Sequence, residues 1–147
     1  MILRVISDKL NQYAVVRSIT LPDAGWLSSI RQSLNMTMEQ LGGKLNISRQ
    51  AVSQIEKRER EGTITLNGLR EAANALDMQL IYAIVPKTGT LEESVEKRAF
   101  ELAQEMLLGA NQQMRLENQA VDDAQLKEAV AETAAELVRN VDRHLWD

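Results

Sequence analysis

The sequence predicts a mainly α chain: a run of short helices, one short β-strand and a C-terminal pair of long helices. Three observations carry this. Apolar residues recur at intervals of three and four along most of the 147 residues. Thr37, Ser48 and Thr65 each stand where a helix would begin. The stretch LIYAIVP breaks the helical period with a continuous apolar run that Pro86 stops.

In chain order, residues 3–18 set Leu3, Ile6, Leu10, Tyr13, Ala14 and Val16 close to helical period, so a helix is expected there. TLPDAG, Thr20 to Gly25, reads as a turn. Trp26, Leu27, Ile30 and Leu34 form the stripe of the next helix. Thr37-Met-Glu-Gln40 has the form of a capping box, in which the Thr37 hydroxyl and the Gln40 amide satisfy first-turn N–H groups reciprocally. The helix it opens runs to Leu45 and contains Gly42 and Gly43. Glycine inside a helix costs about 1 kcal/mol relative to Ala. Gly42 is therefore expected where another helix passes close, while nothing in the sequence explains Gly43.

Asn46-Ile47 makes a short turn, and Ser48 caps the following helix, which ends at Glu61-Gly62. Leu41, Leu45, Ile47, Val52 and Ile55 point inward. Thr65 caps a further helix with Leu66, Leu69, Ala72, Ala73 and Leu76 on its buried stripe. Leu80 to Val85 is expected as the strand. A lone strand leaves its N–H and C=O groups unpaired. Thr63-Ile-Thr65 is a weak intrachain candidate; pairing with the same strand of a second copy, through Leu80, Tyr82 and Ile84, predicts a homodimer. After the KTGT turn, a long amphipathic helix carries Leu91, Val95, Ala99, Leu102, Ala103, Met106, Leu107 and Ala110. Asp122-Asp123 opens another, with Leu126, Val130, Ala134, Leu137, Val138 and Val141 inward. The expected divisions are residues 1–24 as N-terminal helix and linker, 25–86 as a helical domain with its terminal strand, and 87–147 as an acidic helical region.

Composition narrows the function. Hydrophobic residues make up 44% and charged residues 26%, ordinary for a globular domain, and with aromatics at 3% the core must be aliphatic. The chain has no Cys, which excludes disulfides, thiol catalysis and cysteine metal sites and fits a reducing, cytoplasmic setting. MILRVISDKLNQYAVVRS has no apolar h-region, so no signal peptide is expected. No apolar run approaches the ~20 residues of a membrane span. There is no Gly-rich phosphate loop, HExxH or CxxC, the paired carboxylates lie on acidic helical faces, and the lone His144 has no ligand or catalytic partner nearby. No catalytic residue, cofactor or metal is expected. Trp26 and Trp146 read as packing residues.

The charge is uneven. Residues 1–86 hold ten Lys+Arg and eight Asp+Glu, whereas residues 87–147 hold seven and thirteen, so the net −4 belongs to the C-terminal part. The mildly basic part contains SRQAVSQIEKRER, residues 48–60. Its apolar residues Ala51, Val52 and Ile55 bury one side only, and Arg49, Gln50, Ser53, Gln54 and Lys57 are left on the other. A helix fits the DNA major groove, where Arg and Gln read guanine and adenine bidentately. Those five are the expected base contacts, with Thr37, Lys44, Ser48, Arg58 and Arg60 as expected phosphate contacts. Capped helix, tight turn, capped helix makes this a helix-turn-helix unit, which reads palindromic double-stranded DNA as a dimer.

Residues 25–85, above all LNMTMEQLGGKLNISRQAVSQIEKRE, resemble the Cro/C1-type, or xenobiotic-response-element, helix-turn-helix family. The resemblance implies a lambda-repressor-like fold. Familiar members carry Gln just after the Thr of the first motif helix, where it steadies a phosphate contact; here that position is Met38, a departure from the family. Over Trp26 to Asp147 the chain also resembles the mobile mystery protein A family, through GWLSSIRQSLNM, SRQAVSQIEKRE, LIYAIVP, MRLENQAV and the terminal LWD. That second resemblance implies a repressor and antitoxin encoded beside mobile mystery protein B, whose Fic domain transfers nucleotide monophosphate onto hydroxyls; the alternative is a plain dimeric regulator of a mobile element whose C-terminal helices only oligomerise. Fic proteins are commonly held inactive by a Glu with Ser or Thr four residues earlier and Gly or Asn after it. Gln113, Glu117 and Asn118 in QMRLEN are the nearest match and the expected partner-inhibitory residues.

Overall fold

The computed structural model describes residues 2–116 and 122–147. The chain divides into two compact units, Ser18–Ala83 and the segment ending at Arg17 together with Ile84–Asp147.

The unit Ser18–Ala83 holds α2 (Trp26–Ser33), α3 (Met38–Leu45), α4 (Arg49–Glu61) and α5 (Leu66–Ala75). Leu27, Leu41, Val52, Ala72 and Leu76 form its buried core, one or two from each helix or its end. Ile30, Met38, Leu45, Ile47, Ile55 and Leu69 pack around them. The starts of α3, α4 and α5 are local. The side chains of Thr37, Ser48 and Thr65 accept from the N–H groups of Gln40, Ala51 and Gly68 at 3.1, 3.1 and 3.0 Å. The Thr37 N–H donates to Gln40 Oε1 at 2.8 Å, completing the expected capping box.

The other unit holds α1 (Ile2–Tyr13), α6 (Leu91–Leu116) and α7 (Asp123–Asn140). Its core is small-residue and aliphatic: Val95, Ala99 and Ala103 from α6, Val130 and Ala134 from α7, and Leu145 from a terminal 3-10 turn over Arg143–Trp146. The alanines let the two long helices approach closely enough to close that core. Asp122 caps α7 by accepting from the Gln125 N–H at 2.7 Å. Thr90 and Glu93 make a capping box on α6 that T-x-x-E encodes. No helix among the described residues is long and apolar enough to cross a membrane.

Several expectations are corrected. The first helix ends at Tyr13 and continues as a 3-10 turn over Ala14–Val16. It contacts α6, and Leu3 packs on that unit's core. The two compact units are bounded near residues 17 and 83, beside the expected divisions at 24 and 86. No strand forms among the described residues, so Leu80, Tyr82 and Ile84 have no ladder within the chain. The candidate partner Thr63–Thr65 is engaged elsewhere. The N–H groups of Thr63 and Ile64 turn back to the Arg58 carbonyl at 2.9 and 3.3 Å, and Thr65 caps α5. Without a second edge, an apolar β-prone run cannot become a strand. Trp26 and Trp146 are about half exposed, and the residue that anchors the C-terminus is Leu145, fully buried. His144 pairs with Asp142 through Nδ1 at 2.8 Å on the surface. The hydrogen bond to Asp142 raises the His144 pKa, and the His144 backbone N–H holds the Asp142 carboxyl low.

Candidate nucleic-acid interface

α3 and α4 are joined by a turn that depends on two backbone positions. Asn46 ends α3 in the left-handed region at φ 57, which Asn tolerates better than most residues. The N–H groups of Asn46 and Ile47 both reach the Gly42 carbonyl, the second at 2.9 Å. This folds the turn back over α3. A methyl at Gly42 would lie 2.6 Å from the Ile47 carbonyl oxygen and 3.4 Å from Val52 Cγ2. Gly42 is therefore the close approach expected of it, and the neighbours are the turn and the second motif helix together. Nothing lies within 4 Å of a Cβ placed at Gly43.

The inner face of α4 carries more than Val52 and Ile55. Glu56 falls one turn after Val52 on the same stripe and is 2% exposed. It pairs with Arg31 of α2, itself 7% exposed, with Nε to Oε1 at 2.5 Å and Nη2 to Oε2 at 3.3 Å. The remaining terminal nitrogen of Arg31 donates to the Met36 carbonyl at 2.8 Å. One guanidinium thus ties α2, the connection to α3, and α4. One turn on from Ile55, Glu59 accepts from the Trp26 and Leu27 N–H groups at 2.6 and 2.8 Å, capping α2 from across the unit. A carboxylate there also meets the positive end of the helix dipole. Gly25, at φ 84, precedes these N–H groups, and a Cβ on it would crowd the same carboxylate.

These three charged residues went unmarked in the sequence. The available signal was that Arg31 follows Leu27, and Glu56 follows Val52, by one turn. Each is a charge on an otherwise buried stripe, and the two charges are opposite.

On the outer face Arg49, Gln50, Ser53, Gln54 and Lys57 are all exposed. At about 100° per residue they fall within roughly 140° of one another around the helix. The structure brings these five expected base contacts onto one surface. Their span along the axis is about 12 Å. Two of them carry ion pairs: Arg49 Nε with Glu39 of α3 at 3.3 Å, and Lys57 with Glu61 at 3.9 Å.

The expected phosphate contacts divide into three kinds. Thr37 and Ser48 use their oxygens as helix caps, and capping leaves each O–H as a donor. Lys44 is exposed in the last turn of α3. Arg58 and Arg60 are exposed in the last turn of α4, where cations also suit the negative end of the dipole. Gln113 belongs to α6, while Glu117 and Asn118 lie outside the described residues.

Ser18–Ala83 holds seven basic and seven acidic residues. With Glu56 and Arg31 buried against each other and Glu59 held by backbone N–H groups, two of those acids and one of the bases are withdrawn from the outward surface. The α3–α4 surface is then weighted toward Lys44, Arg49, Lys57, Arg58 and Arg60, against Glu39 and Glu61. Such a surface can hold a polyanion while offering amides and a guanidinium to base edges.

Residues 27–82 match the family model described as helix-turn-helix. Comparison with curated proteins and with solved structures gave no match.

Proposed function

We propose that this chain is a sequence-specific DNA-binding repressor that acts as a homodimer. The observation that carries the reading is α4: five exposed polar side chains on one face, with the opposite face locked by the Arg31–Glu56 pair. Selection from a random pool of duplexes tests it. The wild-type chain enriches a two-fold sequence with half-sites about 10 base pairs apart. Enrichment of nothing would remove the reading.

The dimer reading is supported by the segment before Pro86. Tyr82 is 61% exposed and Ile84 86% exposed, and apolar side chains so open gain by being covered. A second copy of the segment provides the edge that the chain lacks. Ile84→Pro removes a backbone donor and distorts a ladder formed there. Sedimentation of this variant is expected to report monomer, with operator affinity greatly reduced. A variant that stays dimeric and binds normally would place the interface elsewhere.

The antitoxin role extends this reading to the C-terminal region. It is supported by the resemblance to mobile mystery protein A, by the acidity of residues 87–147, and by Phe100, Met106 and Leu108, about half exposed on α6. The chain mixed with a Fic-type protein is expected to bind it and suppress nucleotide transfer. Gln113, Glu117 and Asn118 are the proposed inhibitory residues. Unchanged transfer would remove the antitoxin role and leave DNA binding standing.

A further inference from the structure

We propose that Glu39 is a specificity-determining residue that acts through Arg49, a reading that rests on DNA recognition by α4. Arg49 opens α4, and Glu39 sits in the first turn of α3, so their contact spans the turn of the motif. The first turn of α4 has no acid of its own. The carboxylate of Glu39 lies 3.3 Å from Arg49 Nε. The Thr37–Gln40 capping box orders the backbone of that turn, and the α3 dipole favours an acid there.

The atom engaged decides the consequence. Glu39 approaches Arg49 at Nε, so neither terminal nitrogen is engaged by that ion pair. Those two nitrogens can donate together to guanine O6 and N7. The Glu39 contact is therefore compatible with the bidentate base contact and prepares it.

A phosphate meets a different situation. Glu39 places a negative charge beside Arg49 on the surface that the DNA backbone must approach. On an arbitrary duplex that charge repels the backbone and competes for Arg49. On a duplex with guanine in register the same carboxylate orients the reading fork. The repulsion acts on every duplex alike, so the gap between cognate and non-specific binding is widened by the orienting effect, which runs entirely through Arg49.

The test is a double-mutant cycle on the full-length chain. Its probes are the duplex selected by the wild type and a scrambled duplex of the same composition. Glu39→Ala is expected to bind the scrambled duplex roughly threefold or more tightly, with a salt slope steeper by up to about one. It is expected to lower the cognate-to-scrambled ratio by roughly tenfold. Glu39→Gln keeps an acceptor at the same reach and retains part of that ratio. Glu71→Gln removes an exposed acid on α5 and serves as the control for net charge; it leaves the ratio within about twofold. In an Arg49→Ala background, Glu39→Ala no longer lowers the ratio.

The proposal is overturned if Glu39→Ala shifts both duplexes alike, or if the loss of ratio persists without Arg49. A wild-type chain with no preference among duplexes overturns the DNA-binding reading and this proposal together. A selective wild type with an unaltered Glu39→Ala ratio overturns this proposal alone.

Discussion

Glu56→Ala is expected to destabilise the helix-turn-helix unit by about 3–5 kcal/mol, the largest effect of any single substitution argued here. The size comes from what is left behind. Arg31 would stay buried with its charge and keep only the Met36 carbonyl as partner. A buried ion pair contributes little net stability while intact, because desolvation offsets the attraction, but removing one partner exposes the full desolvation penalty. Thermal unfolding followed by helical circular dichroism should show the transition of Ser18–Ala83 falling by roughly 10 °C or more. Replacing both partners by apolar residues, as in Arg31→Met with Glu56→Leu, is expected to recover most of the loss. That double variant should fold yet bind DNA less selectively, because the ionic tie between α2 and the inner face of α4 is gone. A loss below about 1 kcal/mol for Glu56→Ala would mean that water reaches the pair and that it is not the clamp on α4.

Arg49→Ala with Gln50→Ala is expected to abolish recognition while leaving the fold intact. Each bidentate base contact is worth about 1–3 kcal/mol of discrimination. Both side chains are exposed and contribute nothing to the core, so unfolding midpoints should move little. The doubly substituted chain should bind the selected duplex and a scrambled one with similar affinity. Lys44, Arg58 and Arg60 would still supply the salt-dependent part of binding. Cognate affinity that survives the double substitution would move base reading away from the start of α4.

The helix starts were legible in the sequence because a cap acts over three residues. Thr37 with Gln40, and Ser48 with Ala51, carry their own instructions wherever the chain goes. Gly42 reads as marking a close approach, and the Ile47 carbonyl is that neighbour, whereas the equally costly Gly43 has none within 4 Å. The outward stripe of α4 follows from period alone.

Long-range partners were not legible. Arg31 and Glu56 lie 25 residues apart, and Glu59 reaches N–H groups 32 and 33 residues away. A lone charge on an apolar stripe reads the same whether it faces water or an opposite charge, and only packing tells them apart. The N-terminal helix likewise carries an amphipathic pattern that says it needs an apolar surface without saying whose. LIYAIVP shows the limit most directly. Its composition encodes the readiness to pair, but a ladder is a property of two edges, and folding engaged Thr63–Thr65 elsewhere. The sequence by itself determined the helices, their caps and the outward polar stripe of α4 proposed to meet DNA, because each depends on neighbours within a turn or two. Only the tertiary structure decided which charges are buried and what locks α4 in place, because those depend on groups that the fold brings together.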